Sequence, residues 1–271
     1  MSVHLQPGLV AELAARWADL LGRWAIPDDV LNAAPESPWG YPTNLFVEAA
    51  RVAVAADSPS PSQLRAREAL TGGGTVLDVG AGGGAASLPL VPPADRIVAV
   101  DESKDLLEAF DAAADDRGVP HATVLGRWPE VAGVVDTAAL VVCHHVVYNV
   151  PDIVPFATAL DDHAGRRVVI ELTEAHPQAE LNPLWRAIHG IERPEGPGAD
   201  DVIALLGAMG VAVQSERFVR PALWAHVDRS QQVAFARRRL CVGPERDPEI
   251  ERMLPTGDRR LVTVWWDRDG G

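Results

Sequence analysis

The sequence contains a series of short apolar runs that recur at intervals of roughly twenty to thirty residues. Each run has four to six residues, is rich in Val, Leu and Ile, and lacks the polar–apolar alternation of a strand exposed on one face. Parallel strands that are buried on both faces have this composition, and the intervening lengths suit crossover helices. The pattern therefore predicts an α/β fold with a largely parallel sheet. The runs are Thr75–Val79, Ile97–Val100, Ala122–Leu125, Ala138–Cys143 and Val168–Leu172.

The flanking sequence extends this prediction. Apolar residues at helical spacing predict helices before the first strand, and Gly72–Gly74 would end the last of them. Near the C-terminus, Val211–Phe218 and Leu261–Trp266 predict two further strands. We expect a helical cap at residues 1–74 and the sheet domain at residues 75–271, in one structural unit. The predicted helices are Leu9–Leu21, Asn44–Ala56 and Pro61–Leu70 in the cap, and Ala199–Met209 and Ser230–Val242 in the sheet domain.

The first strand leads directly into a glycine-rich turn, Gly80–Ala85, and we expect a short helix to follow it. Glycine allows positive φ and lets the backbone approach a ligand closely. The exposed amides of such a turn, and of the start of a helix, suit an anionic or polar ligand group. The spacing Gly80-x-Gly82-x-x-Ala85 also fits a dinucleotide fingerprint, so the turn alone does not identify the nucleotide.

Two carboxylates near the turn narrow this choice. Asp78 lies in an otherwise apolar strand, two residues before the first glycine, where a carboxylate without partners is costly. It would repel a pyrophosphate and would favour a cofactor that has a cationic amino group. Asp101 ends the next predicted strand, 21 residues after Gly80, at the place where an acid can accept both hydroxyls of a ribose.

The run Asp78–Gly84 resembles the first motif of the class I S-adenosylmethionine-dependent methyltransferases, D/E-x-G-x-G-x-G, at every defined position. The resemblance implies a Rossmann-like, doubly wound sheet of seven strands, mostly parallel with an antiparallel C-terminal strand. It also implies S-adenosylmethionine as the cofactor, with the glycine turn under its methionine part and Asp101 at its ribose. The cofactor-binding residues that we expect are Asp78, Gly80, Gly82, Gly84, Asp101, Glu102, Trp128 and His144.

Two features depart from the family pattern. The family usually has a small or acidic residue after the third strand, beside the adenine, whereas this chain has Arg127 and Trp128 there. Trp128 would either stack on the adenine or pack under the loop. The predicted helix after the glycine turn is also short, because Pro89 lies inside it and Pro92–Pro93 ends it.

A histidine pair ends the fourth predicted strand. Many small-molecule methyltransferases of this family have a Leu-His-His-Val-x-Asp run nearby, but the aligned positions here are Tyr148 and Asn149, and the histidines come four residues earlier. His144 is therefore a candidate cofactor contact. His145 is a candidate general base, because imidazole titrates near neutrality. The alternative for either histidine is a purely structural role.

Further candidates follow the fifth strand. His176 would reach the same edge of the sheet and is the second candidate for catalysis. In this family an insert at that place commonly shapes the acceptor pocket, and residues 181–190 predict a short amphipathic helix, with ordinary packing as the alternative role. Residues 38–42 are a candidate lid over the cofactor. The expected substrate contacts are Tyr148, Asn182, Trp185 and His189.

Composition limits the partners that we expect. The chain has 38 acidic and 24 basic residues, a net charge of −14, whereas nucleic-acid binding needs a basic surface. We interpret the basic run Arg237–Arg239 as the solvated last turn of a helix. Neither a membrane-spanning run, a signal-peptide pattern nor a metal-ligand spacing is evident, so we expect a cytoplasmic protein without a membrane partner or a metal. The preference for arginine over lysine indicates a GC-rich bacterial genome.

The predicted function is methyl transfer from S-adenosylmethionine to a small-molecule acceptor. The alternatives are an RNA or protein methyltransferase on the same fold, a non-catalytic module that binds the cofactor, and a nicotinamide-dependent enzyme. The sequence does not distinguish oxygen, nitrogen and carbon acceptors, and it predicts no oligomeric state.

Overall fold

The computed structural model describes residues 6–40, 43–221 and 227–268. The strands in these ranges are β1 (Thr75–Val79), β2 (Arg96–Asp101), β3 (His121–Leu125), β4 (Ala138–His144), β5 (Ala164–Thr173), β6 (Gln214–Pro221) and β7 (Asp258–Asp267). They form one sheet in the order β3-β2-β1-β4-β5-β7-β6. β7 is antiparallel to β5 and β6, and the pairs among β1 to β5 are parallel. The predicted sheet, mostly parallel with an antiparallel C-terminal strand, is confirmed.

Helices cover both faces of this sheet. They are α1 (Pro7–Gly22), α2 (Asp28–Asn32), α3 (Thr43–Ala55), α4 (Pro61–Ala69), α5 (Lys104–Asp115), α6 (Ile153–His163), α7 (Asn182–His189), α8 (Ala199–Ala208), α9 (Arg229–Arg239) and α10 (Asp247–Met253). Helices α1, α6 and α8 pack on the face that carries Leu77 and Val79, and α3, α4 and α5 pack on the opposite face. No helix in the described ranges is long and apolar enough to cross a membrane.

The predicted strand Val211–Phe218 was placed too early, because β6 begins at Gln214 and continues to Pro221. Gly210 adopts a positive φ of 88°, and the amide of Val211 donates to the carbonyl oxygen of Leu206. Val211 therefore completes the C-terminal cap of α8, as is common after a left-handed glycine, and is not available to the sheet.

The helix predicted after the glycine turn is wrong. Turns follow Gly84, and the only helical piece between Gly84 and β2, a stretch that the structure describes in full, is the 3₁₀ turn Leu88–Leu90. Gly82 and Gly84 have φ values of 53° and 87°, which prevent an α-helix from starting before Ala85. Pro92 and Pro93 then leave too little chain for a helix to propagate.

The run Arg237–Arg239 forms the last turn of α9 as expected, but the interpretation of this turn as solvated is wrong. Arg239 is buried, and both Arg238 and Arg239 donate to the carbonyl oxygen of Gly40. Arg237 pairs with Asp247 at 2.8 Å. The end of α9 therefore packs against the segment before α3, which sequence periodicity alone does not show.

The predicted cap contacts the sheet directly. Ser60 and Gln63 form a capping box at the start of α4, and the hydroxyls of Ser62 and Thr263 lie 2.6 Å apart in the core. The boundary between residues 74 and 75 stays a prediction. The candidate lid at residues 38–42 includes residues 41 and 42, which lie outside the described residues.

Helix α3 lies directly against the glycine turn. A Cβ atom built on Gly83 would be 2.7 Å from the carbonyl oxygen of Phe46, and one built on Gly82 would be 3.3 Å from the Phe46 ring. The backbones of the helix and the turn therefore approach each other more closely than any residue with a side chain would allow. Gly82, Gly83 and Gly84 are buried as a result.

We predict that Gly83→Ala destabilises the protein by about 1 to 3 kcal/mol, because the added methyl group would collide with backbone atoms of α3. Gly207→Ala is the matched control, since nothing lies within 4 Å of a Cβ at this position in α8. Alanine there should be neutral or stabilising by about 0.4 to 1 kcal/mol. Urea unfolding measures both values, and a Gly83→Ala protein as stable as wild type would contradict the packing of α3 on the turn.

Candidate functional site

The glycine turn lies at the carboxyl edge of the sheet, between β1 and β2. Gly80, Gly82 and Gly84 all have positive φ, as a tight turn of this kind needs. The amides of Gly80 and Ala81 donate to the carbonyl oxygen of Val100 at 2.8 and 3.0 Å. These bonds fix the turn to the end of β2, next to Asp101.

Asp101 joins two loops through its carboxylate. Oδ2 accepts from the amide of Gly82 at 2.8 Å, and Oδ1 accepts from the amide of Ser103 at 2.9 Å. A carboxylate has about four acceptor sites, so each oxygen retains the capacity for a further donor such as a hydroxyl. Asp101 therefore lies where its predicted role requires, and that role stays a prediction.

Asp78 is completely buried, on the face of the sheet covered by α3, α4 and α5. Its Oδ2 accepts from the Ser87 hydroxyl at 2.6 Å, while Oδ1 has no partner among the described residues. Burial raises the pKa of Asp78 to about 7, and the nearby charge of Asp101 adds to the shift against the hydrogen bond from Ser87. An unpartnered carboxylate oxygen in the interior is expensive unless a ligand or a proton compensates it.

Glu102 and Trp128 lie on the loops after β2 and β3, at the same carboxyl edge of the sheet as the turn. The Glu102 carboxylate and the Arg127 guanidinium form an exposed pair at 3.1 Å. The Trp128 indole is buried edge-on against the His163 ring, with centroids 4.8 Å apart, and its Nε1 has no partner among the described residues. The structure thus packs Trp128 under the loop, and stacking on adenine stays a prediction.

The histidine pair has two different environments. Nε2 of His144 is buried without a partner among the described residues, and burial lowers the pKa of His144 to about 4, so the ring is neutral near pH 7. His145 adopts a left-handed backbone with φ of 61°, which is unusual for a residue that is not glycine. Its amide donates to the carbonyl oxygen of Glu171 at 2.8 Å, and this bond holds the turn after β4 against β5.

The structure adds two residues that the sequence analysis did not select. Glu171, on β5, is buried with its Oε1 3.1 Å from Nε2 of His145 and 2.8 Å from Nη2 of Arg220 on β6. Burial alone would raise the pKa of Glu171, but the neighbouring histidines and Arg220 outweigh it and hold the pKa below its usual range. The turn after β4 and the strands β5 and β6 thus contribute to one cluster, which we call the His145–Glu171–Arg220 cluster.

The signal for Glu171 was available in the sequence, since it is a lone carboxylate in an apolar strand, as Asp78 is. Arg220 had no such signal. It lies in the edge strand β6, and only the pairing of β7 between β5 and β6 places it near Glu171.

Tyr148 and His176 lie in a packed aromatic group. The Tyr148 hydroxyl accepts from the amide of Thr173 and lies 2.7 Å from its Oγ1, and burial raises the pKa of Tyr148. The His176 ring stacks on Trp24 with centroids 4.0 Å apart, and burial, with a smaller contribution from Arg193, lowers its pKa to about 3. These surroundings favour packing for both residues, and their predicted roles in substrate binding and catalysis stay untested.

The residues predicted on the insert lie on α7. Asn182 donates through Nδ2 to the carbonyl oxygen of Pro194 at 2.9 Å, and Trp185 is buried under the Arg193 guanidinium, whose carbon lies 4.8 Å from the ring centroid. Nε2 of His189 lies 2.7 Å from the carbonyl oxygen of Leu240, after α9. These contacts join α7 to its neighbours, and the predicted contacts with substrate stay predictions.

Several solved structures are similar to this chain. An S-adenosylmethionine-dependent methyltransferase from Thiobacillus denitrificans, in complex with S-adenosyl-L-homocysteine, aligns with a TM-score of 0.54 and 14% identity, over 85% of this chain and 100% of that chain. A structure described under the conversion of a disulfide bond into a thioacetal group during echinomycin biosynthesis has a TM-score of 0.54, 17% identity, and coverage of 90% and 92%. The YcgJ protein of Bacillus subtilis has a TM-score of 0.54, 16% identity, and coverage of 78% and 99%.

No protein-family model matches the sequence, and no curated protein matches it significantly. At identities this low, the likeness to solved structures concerns the fold, and function has to be argued from the site. The chain has the class I methyltransferase fold.

We predict that Asp78→Asn stabilises the protein more at high pH than at low pH. The pKa of Asp78 is raised to about 7 in the folded state, against about 3.9 in an unfolded chain. The stability that its protonated form contributes is therefore complete below about pH 4 and is lost as the pH rises through about 7. Relative to the variant, wild type should lose up to about 4 kcal/mol between pH 4 and pH 8.5.

Urea unfolding at several pH values measures this difference. Asp116→Asn, at the exposed end of α5, is the control and should leave the pH dependence of stability unchanged. A stability difference between Asp78→Asn and wild type that stays constant from pH 4 to pH 8.5 would show that Asp78 is not the buried titrating group.

Proposed function

We propose that this chain is an S-adenosylmethionine-dependent methyltransferase that acts on a small-molecule acceptor. One observation carries the proposal. In a sheet with the class I strand order, the Asp78–Gly84 motif forms the turn after β1, and Asp101 at the end of β2 is hydrogen-bonded to that same turn. The motif and the acid are thus neighbours at the carboxyl edge, where open α/β sheets bind ligands.

The buried polar atoms of the site fit this cofactor. Asp101 would accept the ribose hydroxyls, and the unpartnered Oδ1 of Asp78 would favour a cationic amino group near the turn. Nε2 of His144 is a further unpartnered group, at the end of the neighbouring strand β4. Glu102 and Trp128 would line the adenosine side of the site. When bound, S-adenosylmethionine supplies a methyl group already activated by its sulfonium.

Helix α3 would act as the lid of the site. Because Phe46 lies against Gly82 and the turn is buried, the cofactor requires α3 to shift away from at least part of the turn. This is the function we propose for the helical cap at residues 1–74, in place of the lid at residues 38–42.

The His145–Glu171–Arg220 cluster would remove the proton from the acceptor as a general base. In our proposal, Nε2–H of His145 donates to the ionised carboxylate of Glu171, which leaves Nδ1 as the nitrogen that takes the proton from a hydroxyl acceptor. The carboxylate of Glu171 then stabilises the resulting imidazolium. Arg220 keeps Glu171 ionised in the interior. A neutral amine acceptor would need no base, so the cluster favours a hydroxyl acceptor.

The alternatives have less support. The net charge of −14 disfavours an RNA substrate. The buried carboxylate of Asp78 beneath the turn disfavours the pyrophosphate of a nicotinamide cofactor. A non-catalytic module would have no use for an imidazole paired with a buried carboxylate, and loss of turnover would be its distinguishing property.

We predict micromolar binding of S-adenosylmethionine and S-adenosylhomocysteine by calorimetric titration, and no binding of NADH. Asp101→Ala should lose most of the affinity, because it removes the acceptor for the ribose hydroxyls. Asp105→Ala, an exposed carboxylate in the first turn of α5, is the control and should bind as wild type does. Tight binding of NADH, or no effect of Asp101→Ala on binding, would reject the proposed cofactor site.

We further predict that His145→Gln keeps the affinity for S-adenosylmethionine and lowers turnover about 10² to 10⁴-fold, as loss of a general base does. Turnover is measured as S-adenosylhomocysteine formed with a pool of small metabolites. His121→Gln, at the amino end of β3, is the control. Equal turnover by the two variants would remove His145 from the mechanism.

A further inference from the structure

A cavity of about 240 Å³ lies between the first turn of α3 and α9. Its polar lining includes Asn44, Gln231, Arg237 and Arg238, with Glu36 and the ring of Phe235 beside them. We propose that this cavity is the acceptor site, and that it binds a small, planar molecule that carries a carboxylate group. The proposal rests on the methyltransferase function, because it assigns the substrate class of that enzyme.

The charge of the cavity favours an anion. Arg237 is neutralised by Asp247 at 2.8 Å, and Glu36 faces it at 3.9 Å. Arg238 donates only to the carbonyl oxygen of Gly40, and among the described residues no carboxylate lies within ion-pair distance of it. The lining thus holds two guanidiniums and one carboxylate, Glu36, and Arg238 is the guanidinium without a carboxylate partner in the described part of the chain. A carboxylate is a ligand that a guanidinium holds through charge-assisted hydrogen bonds.

The start of α3 adds to this positive character. Asn44 and Leu45 line the cavity and belong to the first turn of the helix, which contains no acidic residue. The first amides of a helix lack partners within it, and the helix dipole places a partial positive charge at that end. An anionic group in the cavity would therefore face both Arg238 and the start of a helix of 13 residues.

The ring of Phe235 favours a planar ligand. The guanidinium carbons of Arg238 and Arg239 lie 5.7 and 5.1 Å from its centroid, within the range of cation–π contacts. A flat ligand could pack on this aromatic and guanidinium surface while its carboxylate meets Arg238. The volume is below the roughly 300 to 1,000 Å³ of pockets for drug-sized ligands, so only a small acceptor would fit.

The position of the cavity links it to the proposed cofactor site. Leu45 lines the cavity, and the next residue, Phe46, lies against Gly82 of the glycine turn. Leu45 and Phe46 are consecutive residues, so the cavity and the turn contact the same part of α3. The shift of α3 that admits the cofactor would then also bring the cavity into contact with it.

The experiment is calorimetric titration of the full chain with benzoate and with benzyl alcohol, its neutral counterpart. We expect wild type to bind benzoate at least about tenfold more tightly than benzyl alcohol, the effect of one charge-assisted hydrogen bond. Arg238→Gln should lose this preference and keep its affinity for S-adenosylmethionine. Arg252→Gln, an exposed residue of α10, is the control and should bind as wild type does.

Equal binding of the two probes by wild type, or an unchanged preference in Arg238→Gln, would overturn the proposal. The comparison of probes on wild type needs no substitution, so a variant that fails to fold does not affect it. The proposed function fails separately. Wild type could bind benzoate more tightly than benzyl alcohol, with Arg238→Gln losing this preference, and yet not bind S-adenosylmethionine. That result would support the carboxylate site and reject the methyltransferase function.

Discussion

The contact between the backbone of α3 and the glycine turn decides how the rest of the site is arranged. Because Gly83 has no side chain, the carbonyl of Phe46 reaches the turn directly. The helix therefore covers the turn, and its own first turn lines the cavity that it shares with α9. The same glycines that would let a cofactor approach the backbone also let a helix do so. In the function that we propose, the turn would both bind the cofactor and form the surface on which the lid helix α3 packs.

Buried charge is concentrated on one face of the sheet at its carboxyl edge. Asp78 and Glu171 are both completely enclosed, yet they behave in opposite ways. Glu171 has Arg220 and His145 as partners and stays ionised. Asp78 is hydrogen-bonded to the Ser87 hydroxyl and repelled by Asp101, and its pKa is raised to about 7. The left-handed backbone of His145, which costs on the order of 1 to 3 kcal/mol, completes the cluster. Strain and buried charge at one edge are typical of a functional site.

Much of the fold could be predicted because it depends on local patterns. Unbroken apolar runs such as Val168–Leu172 indicate strands buried on both faces, and each of the expected strands is present. The errors arose where backbone conformation and long-range packing compete with such patterns. No α-helix forms after Gly84, because prolines and left-handed glycines prevent it. Val211 does not join a strand, because it belongs to the C-terminal cap of α8. Arg239 is buried because a distant segment packs on the end of α9, which no local pattern encodes.

The sequence by itself determined the strands, the glycine turn, and the two acids at its sides, Asp78 and Asp101. Their spacing along the chain is enough, because consecutive parallel strands bring their carboxyl ends to one edge. Tertiary structure alone decided that Arg220 reaches Glu171, that α3 covers the turn, and that Arg238 faces a cavity. Each of these contacts joins elements far apart in the chain. They depend on the insertion of β7 between β5 and β6 and on close helix packing, and neither has a signature in local sequence.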